Sequence, residues 1–191
     1  MTKIKICGLR RLQDIEIVNK YLPDYIGFIF AENKRRTVSI DLALELKNKL
    51  DKRIKAVGVF LNQDINYILN ICNLGIIDMI QLHGNEDELY IKELKSKTNL
   101  EIINAYKEDL NSDYLLLDNI NPGSGEVFDW SNINTNQRLF LSGGININNI
   151  DLALKLNPYC IDISSGVETD GYKDELKIKE IIERIRNYEK R

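Results

Sequence analysis

Short β-branched runs alternate with longer segments of 3.6-residue period along the chain. Runs near 3–7, 25–30, 54–61, 78–83, 101–106, 114–118, 138–142 and 159–164 predict eight strands. Segments near 12–20, 40–50, 64–73, 86–97, 147–155 and 174–188 predict helices, with a short one near 129–134. In the first helix Leu12, Ile15 and Val18 share a face; in the last, Leu176, Ile178, Ile181, Ile182 and Ile185 do. Strands alternating with helices make right-handed βαβ units and a parallel sheet. Eight such strands close most simply into a (βα)8, or TIM, barrel, an α/β fold. An open doubly wound sheet is the competing architecture, although such sheets usually hold fewer strands. The chain has 191 residues, so each unit has to be minimal. Only residues 107–113 separate strands five and six, two helical turns at most. The helix there is expected to be reduced or absent, leaving that part of the sheet less covered. Without linker or repeat, residues 1–191 are expected to form a single barrel domain.

Alternation within strands adds a second expectation, because every other residue of a barrel strand points inward. If Cys7 points inward, so do Lys5 and Lys3, while Ile4 and Ile6 face the helices. On the neighbouring eighth strand Asp162 then faces the centre, and Ile161 and Ile163 face outward. A buried Lys5–Asp162 ion pair follows, since an unpaired buried lysine is costly. Gln81 points inward by the same rule, below His83.

Composition narrows the function. Twenty-six Lys and Arg against 29 Asp and Glu give a net charge of −3, which argues against a nucleic-acid partner. No apolar stretch approaches the ~20 residues of a membrane helix. The first residues lack the apolar core of a signal peptide, so a cytoplasmic location is expected. Cys7, Cys72 and Cys160 have no paired spacing, which disfavours both a disulfide framework and a zinc site. Cys72 and Cys160 read as small buried hydrophobes.

Polar groups close several strands, at the edge where α/β folds bind ligands. Cys7 ends the first strand and Gly8 follows at once; His83, Asp118 and Ser142 end the fourth, sixth and seventh. A thiolate is a competent base, and a nearby cation such as Lys5 lowers its pKa from ~8.5. A carboxyl with a raised pKa at a partly apolar strand end serves as a general acid. Read singly, Cys7 is a small buried hydrophobe and Asp118 a cap. Gly143-Gly144 after the seventh strand and Ser165-Gly166 after the eighth fit either tight turns or backbone donors to a phosphate. Gly123-Ser124-Gly125 after the sixth strand offers a third contact to the same group. Arg36, in a basic segment past the second strand, is either a carboxylate ligand or part of a solvated charge cluster. His83, the single histidine, is either a hydrogen-bonding support for the site or simply a strand-end residue. One histidine cannot build a metal cluster.

These segments, in order, resemble the phosphoribosylanthranilate isomerase family of tryptophan biosynthesis. The resemblance is carried by Lys5-Ile6-Cys7-Gly8-Leu9, Gly27-Phe28-Ile29-Phe30, Arg36-Thr37-Val38-Ser39, Val57-Gly58-Val59-Phe60 and Gln81-Leu82-His83-Gly84. It continues through Leu116-Leu117-Asp118, Gly123-Ser124-Gly125, Phe128-Asp129-Trp130, Leu141-Ser142-Gly143-Gly144-Ile145 and Asp162-Ile163-Ser164-Ser165-Gly166-Val167-Glu168. It implies a TIM barrel that needs no cofactor or metal and rearranges N-(5-phosphoribosyl)anthranilate to its 1-deoxyribulose 5-phosphate isomer. It also implies Cys7 as general base and Asp118 as general acid. Substrate contacts then fall to Arg36, His83, Gly123, Ser124, Gly125, Gly143, Gly144, Asp162, Ser165 and Gly166. The expected partner is this small molecule, with no nucleic acid or membrane, in a monomer or homodimer. One departure is Asp170-Gly171-Tyr172 where the family usually carries Pro-Gly ahead of Lys-Asp.

The alternative is a sugar-phosphate-binding barrel that is non-catalytic or runs another reaction. Ribulose-phosphate epimerases resemble metal sites with several His and Asp, and indole-glycerol-phosphate synthase uses lysines that are not so placed here. A mere binding protein has no need of Cys7 and Asp118 together.

Overall fold

A computed structural model describes residues 1–107, 111–118 and 135–188. Eight parallel strands close into a barrel in sequence order, with β8 pairing back onto β1. They are β1 (Lys3–Cys7), β2 (Tyr25–Ile29), β3 (Lys55–Phe60), β4 (Met79–Leu82), β5 (Glu101–Ala105), β6 (Tyr114–Leu117), β7 (Arg138–Leu141) and β8 (Cys160–Ile163). The closed barrel, not the open sheet, is therefore the fold. Helices follow most strands: α1 (Leu12–Tyr21), α2 (Ile40–Lys49), α3 (Ile65–Asn73), α4 (Glu88–Lys97), α5 (Ile150–Lys155) and α6 (Glu175–Tyr188). A two-stranded hairpin, β9 (Glu168–Thr169) and β10 (Tyr172–Lys173), precedes α6. No helix lies between β5 and β6 among the described residues, as the short connection predicts. The expected short helix near 129–134 lies outside the described residues.

Strand alternation sorts the core into two layers. Ile4, Ile6, Ile26, Phe28, Ile161 and Ile163 join the helix faces in the outer layer. Tyr25, Val57, Met79, Ile103, Tyr114, Leu116, Phe140 and Cys160 fill the barrel. Their packing occupies the lower barrel, so chemistry is confined to the strand C-termini above it. The expected thin cover beside β5 and β6 is not found: the outward-facing Ile102 and Leu115 are both buried. Asn104 fastens the connection by donating to the Lys107 carbonyl at 3.1 Å.

Two helix-face assignments need correction. Leu12 and Leu176 are exposed, whereas Ile15, Val18, Ile178, Ile181, Ile182 and Ile185 are buried. At about 100° per residue, Leu176 points nearly opposite to the Ile178–Ile185 stripe, and Leu12 opposite to the mean direction of the buried face. Helix starts are also shifted by side-chain hydrogen bonds. Asp87 caps α4 by accepting from the Tyr90 N–H, while Glu86 turns away to accept from the backbone of Asn62 and Gly84. Asn146 and Asn149 form local turns that delay α5 to Ile150.

Candidate active site

Cys7 stands at the C-terminal end of β1, 7% exposed. Two glycines make room around it. A Cβ on Gly27, its partner on β2, would lie 2.6 Å from the thiol sulfur. Gly8 takes φ +82°, and a Cβ there would meet Arg36 Cδ at 2.5 Å. Beneath the thiol, Lys5 is fully buried and its ammonium donates to Asp162 at 2.6 Å and to Gln81 Oε1 at 2.9 Å. The ion pair expected from strand alternation is thus present, with Gln81 as an added partner. Lys3 instead reaches Asp24 at 2.7 Å at the other mouth of the barrel. Burial pushes the Lys5 ammonium down, but Asp162 and Cys7 outweigh it and hold it firmly protonated.

Two effects oppose each other at the thiol. Burial pushes the Cys7 pKa up, and the opposing pulls of Lys5 and Lys173 do not cancel it. Lys5 lowers the thiol as reasoned from the sequence, but desolvation outweighs it.

A second polar cluster lies at the ends of β4 to β6. His83 Nδ1 is 3.0 Å from Gln81 Nε2, and His83 Nε2 is 2.8 Å from the Tyr106 hydroxyl and 3.6 Å from Asp118 Oδ2. Burial, helped by Lys5 and Lys34, lowers the imidazole pKa to about 4, so the ring is neutral at physiological pH. His83 is therefore tied into the site and not merely placed at a strand end. Tyr106 adopts φ +68°, a left-handed conformation that ends β5 and sends its ring across to His83.

Basic residues from the loop after β2 meet the segment after β8. Glu168 accepts from Arg36 Nε and Nη2 at 2.7 and 2.8 Å, from Arg35 at 2.7 Å and from Lys173 at 2.8 Å. Arg36 is thus a bidentate partner of Glu168, not a member of a solvated cluster. Burial pushes the Glu168 carboxyl up, yet Arg36 and Lys173 hold it at about 2. Lys173, itself buried, also donates to the Ser164 carbonyl at 2.9 Å. Its pKa is lowered because burial exceeds the pull of Glu168.

The two glycine loops touch. A Cβ on Gly166 would fall 1.9 Å from the Ile145 carbonyl oxygen, so only glycine allows this approach. Gly143 and Gly144 have φ of +95° and +66°. The Gly144 carbonyl accepts from the Asn146 and Asn149 amides at 2.9 and 3.0 Å. Across a trans peptide, the Ile145 N–H then points the opposite way. Gly123, Ser124 and Gly125 lie outside the described residues. Among the described residues no group of three or more His, Cys, Asp and Glu could hold a metal ion. No helix among them is long and apolar enough to cross a membrane.

Residues 4–184 match the family model described as PRAI, N-(5'phosphoribosyl)anthranilate (PRA) isomerase. The chain is 42% identical over 205 residues to the N-(5'-phosphoribosyl)anthranilate isomerase of Clostridium acetobutylicum, covering 98% of this chain and 100% of that protein. The chain belongs to the N-(5'-phosphoribosyl)anthranilate isomerase family. The crystal structure of the isomerase from Thermus thermophilus superposes with a TM-score of 0.89 at 29% identity, over 98% of this chain and 100% of that one. A phosphoribosyl anthranilate isomerase in complex with reduced 1-(o-carboxyphenylamino)-1-deoxyribulose 5-phosphate superposes with a TM-score of 0.83 at 28% identity, over the same shares. Family membership makes this chain an isomerase of tryptophan biosynthesis that carries out an Amadori rearrangement.

In this isomerase Cys7, Asp118, His83, Arg36 and the two glycine loops stand at strand C-termini or on the loops that follow them, with Asp162 inside β8 level with Lys5. Three further residues were not assigned a role from the sequence. Glu168 and Lys173 were legible only as members of a motif, because their partners come from the loop after β2. Tyr106 carried no signal, since its role depends on an unusual backbone angle.

Proposed function

We propose that Cys7 and Asp118 divide the proton transfers of the Amadori rearrangement, with Cys7 as base and Asp118 as acid. Asp118 donates its proton to the furanose ring oxygen of N-(5-phosphoribosyl)anthranilate. The C1–O bond breaks as the nitrogen lone pair forms an iminium. Cys7 then removes the proton from C2, and the C–H electron pair gives an enolamine. Reprotonation at C1 and loss of the O2 proton yield the ketone, so the overall change is an isomerisation. The iminium acidifies C2–H, and its positive charge arriving beside a desolvated thiol favours thiolate. A thiol whose pKa burial raises is compatible with this order of events.

The observation that carries the reading is Lys5, an ammonium enclosed between Asp162 and Gln81 beneath the thiol. Its field opposes the rise that burial imposes on the Cys7 pKa, which favours the thiolate a base requires. The remaining groups have matching roles. Arg36 holds the anthranilate carboxylate from its Nη1 side, its other edge being engaged by Glu168. Asp162 Oδ1 is buried without a hydrogen-bond partner, and a sugar hydroxyl supplies one. Gly143, Gly144, Ser165 and Gly166 bind the phosphate, with the Ile145 N–H as a donor and with help from Gly123, Ser124 and Gly125.

Anthranilate adducts fluoresce, so turnover of freshly made substrate can be followed directly. Cys7→Ser and Asp118→Asn are each expected to lower kcat at least ~100-fold. Arg36→Lys is expected to raise KM with a smaller effect on kcat, because lysine cannot bind a carboxylate bidentately. Full rate in Cys7→Ser would mean the base is misassigned; an unchanged KM in Arg36→Lys would remove the carboxylate contact.

A further inference from the structure

We propose that Gln81 is a positioning residue for the acid half of the site: held by Lys5, it fixes His83 with its proton on Nε2, so that a neutral N–H faces Asp118. The inference rests on Asp118 acting as the general acid, and it extends that reading to a directed chain of hydrogen bonds from one half of the site to the other.

Counting donors sets the direction. The Lys5 ammonium can only donate, and it meets Gln81 at 2.9 Å, so Gln81 presents its oxygen there. Its amide nitrogen, which also only donates, is then the atom 3.0 Å from His83 Nδ1. Nδ1 must accept, and a neutral ring therefore carries its proton on Nε2. That N–H points to the Tyr106 hydroxyl at 2.8 Å, with Asp118 Oδ2 at 3.6 Å.

The state of the ring matters to the acid. Asp118 has to keep its proton until the sugar oxygen arrives. An imidazolium 3.6 Å away would stabilise the carboxylate and strip that proton early. A ring protonated on Nδ1 would instead turn a basic lone pair toward the acid. A neutral Nε2–H avoids both, and can still hydrogen-bond the carboxylate once the proton has left. Among the described residues, the charged and titratable groups around the ring are Lys5 from β1, Lys34 from the loop after β2, Tyr106 after β5 and Asp118 after β6. The two cations and burial work against an imidazolium, and Gln81 decides which nitrogen holds the single proton.

The chain contains one histidine, so 15N NMR of histidine-labelled enzyme reports one ring without ambiguity. The wild-type ring is expected to be neutral with Nε2 protonated from pH 8 down to about 5, given a pKa of about 4. Gln81→Glu replaces the donor to Nδ1 by an acceptor. It is expected to move the proton to Nδ1 or to make the ring cationic. We expect kcat to fall about 10-fold or more with KM little changed, a smaller loss than the ~100-fold expected for Asp118 itself. Gln81→Met removes both hydrogen bonds without adding charge and is expected to give mixed tautomers and an intermediate rate. A wild-type ring protonated on Nδ1, or one titrating near its ordinary ~6.5, overturns the proposal. So does a Gln81→Glu enzyme that shifts the proton and keeps its full kcat. The resonance needs no turnover, so an Nε2–H ring in a wild-type protein that does not isomerise substrate would refute the functional reading and leave the tautomer assignment standing.

Discussion

Lys5 holds a full charge at a position with no solvent, between Asp162 and Gln81. Such a pair is weak evidence for stability, because desolvating two ions offsets most of their attraction. What it does guarantee is a large penalty when one partner is removed. Lys5→Met is expected to cost about 3–5 kcal/mol, since Asp162 would be left buried and uncompensated. Adding Asp162→Leu should return much of that loss, because two apolar groups need no partner there. Urea denaturation of the single and double variants measures both effects. A double variant no more stable than Lys5→Met would show that the uncompensated charge is not the source of the loss. Activity should not return with stability, because the double variant still lacks the cation beneath the thiol. Stability and rate are thereby separated at one residue pair.

At the level of elements, the loop after β2 and the β9–β10 hairpin are joined through Glu168, which meets Arg35, Arg36 and Lys173. A guanidinium tethered on one edge has its other edge already oriented, so less freedom is lost when it meets a second carboxylate. Glu168→Gln keeps the shape and removes the charge facing three cations. It is expected to raise KM by about 10-fold, the effect of losing one charge-assisted hydrogen bond, while kcat changes less. Steady-state kinetics decide this; a fall in kcat at constant KM would place the effect on chemistry instead of on substrate binding. The same elements show what the sequence discloses. Strand alternation led from Cys7 to Lys5 and across to Asp162, because side-chain direction alternates strictly along each strand and barrel closure sets β8 beside β1, although the two residues are 157 apart. The helix faces were readable except in their first turns, where Leu12 and Leu176 are apolar but point outward. The bond from Arg36 to Glu168 was not readable, as Arg36 lies in an irregular loop with no periodicity to fix where its side chain points. Tyr106 was hidden for a related reason: its position follows from a backbone angle of +68°, which no local pattern of residues announces.

For the whole molecule, the groups that arrange the site also tie its stability to pH. His83 has a folded pKa of about 4, below its ordinary ~6.5, and Glu168 one of about 2, below the usual ~4.3. Each binds fewer protons folded than unfolded, so each contributes stability that is fully present above the unfolded value and is lost on acidification. The His83 contribution should fade between pH ~6.5 and ~4, and that of Glu168 between ~4.3 and ~2. A shift of this size in a largely buried imidazole corresponds to on the order of 3 kcal/mol. Urea midpoints measured from pH 8 to 3 should therefore begin to fall well above the range in which carboxylates titrate. His83→Gln, which cannot take up a proton, should flatten the curve above pH ~4.5 and leave the lower limb. A wild-type midpoint that stays level from pH 7 to 4.5 would mean that the ring is solvated or already charged. Since Lys5 and Lys34 add to burial in opposing that charge, Lys5→Met should raise the folded His83 pKa toward its unfolded value, leaving the onset near pH ~6.5 and making the loss below it smaller. The cation under the thiol would then influence the acid side of the barrel through its field as well as through Gln81.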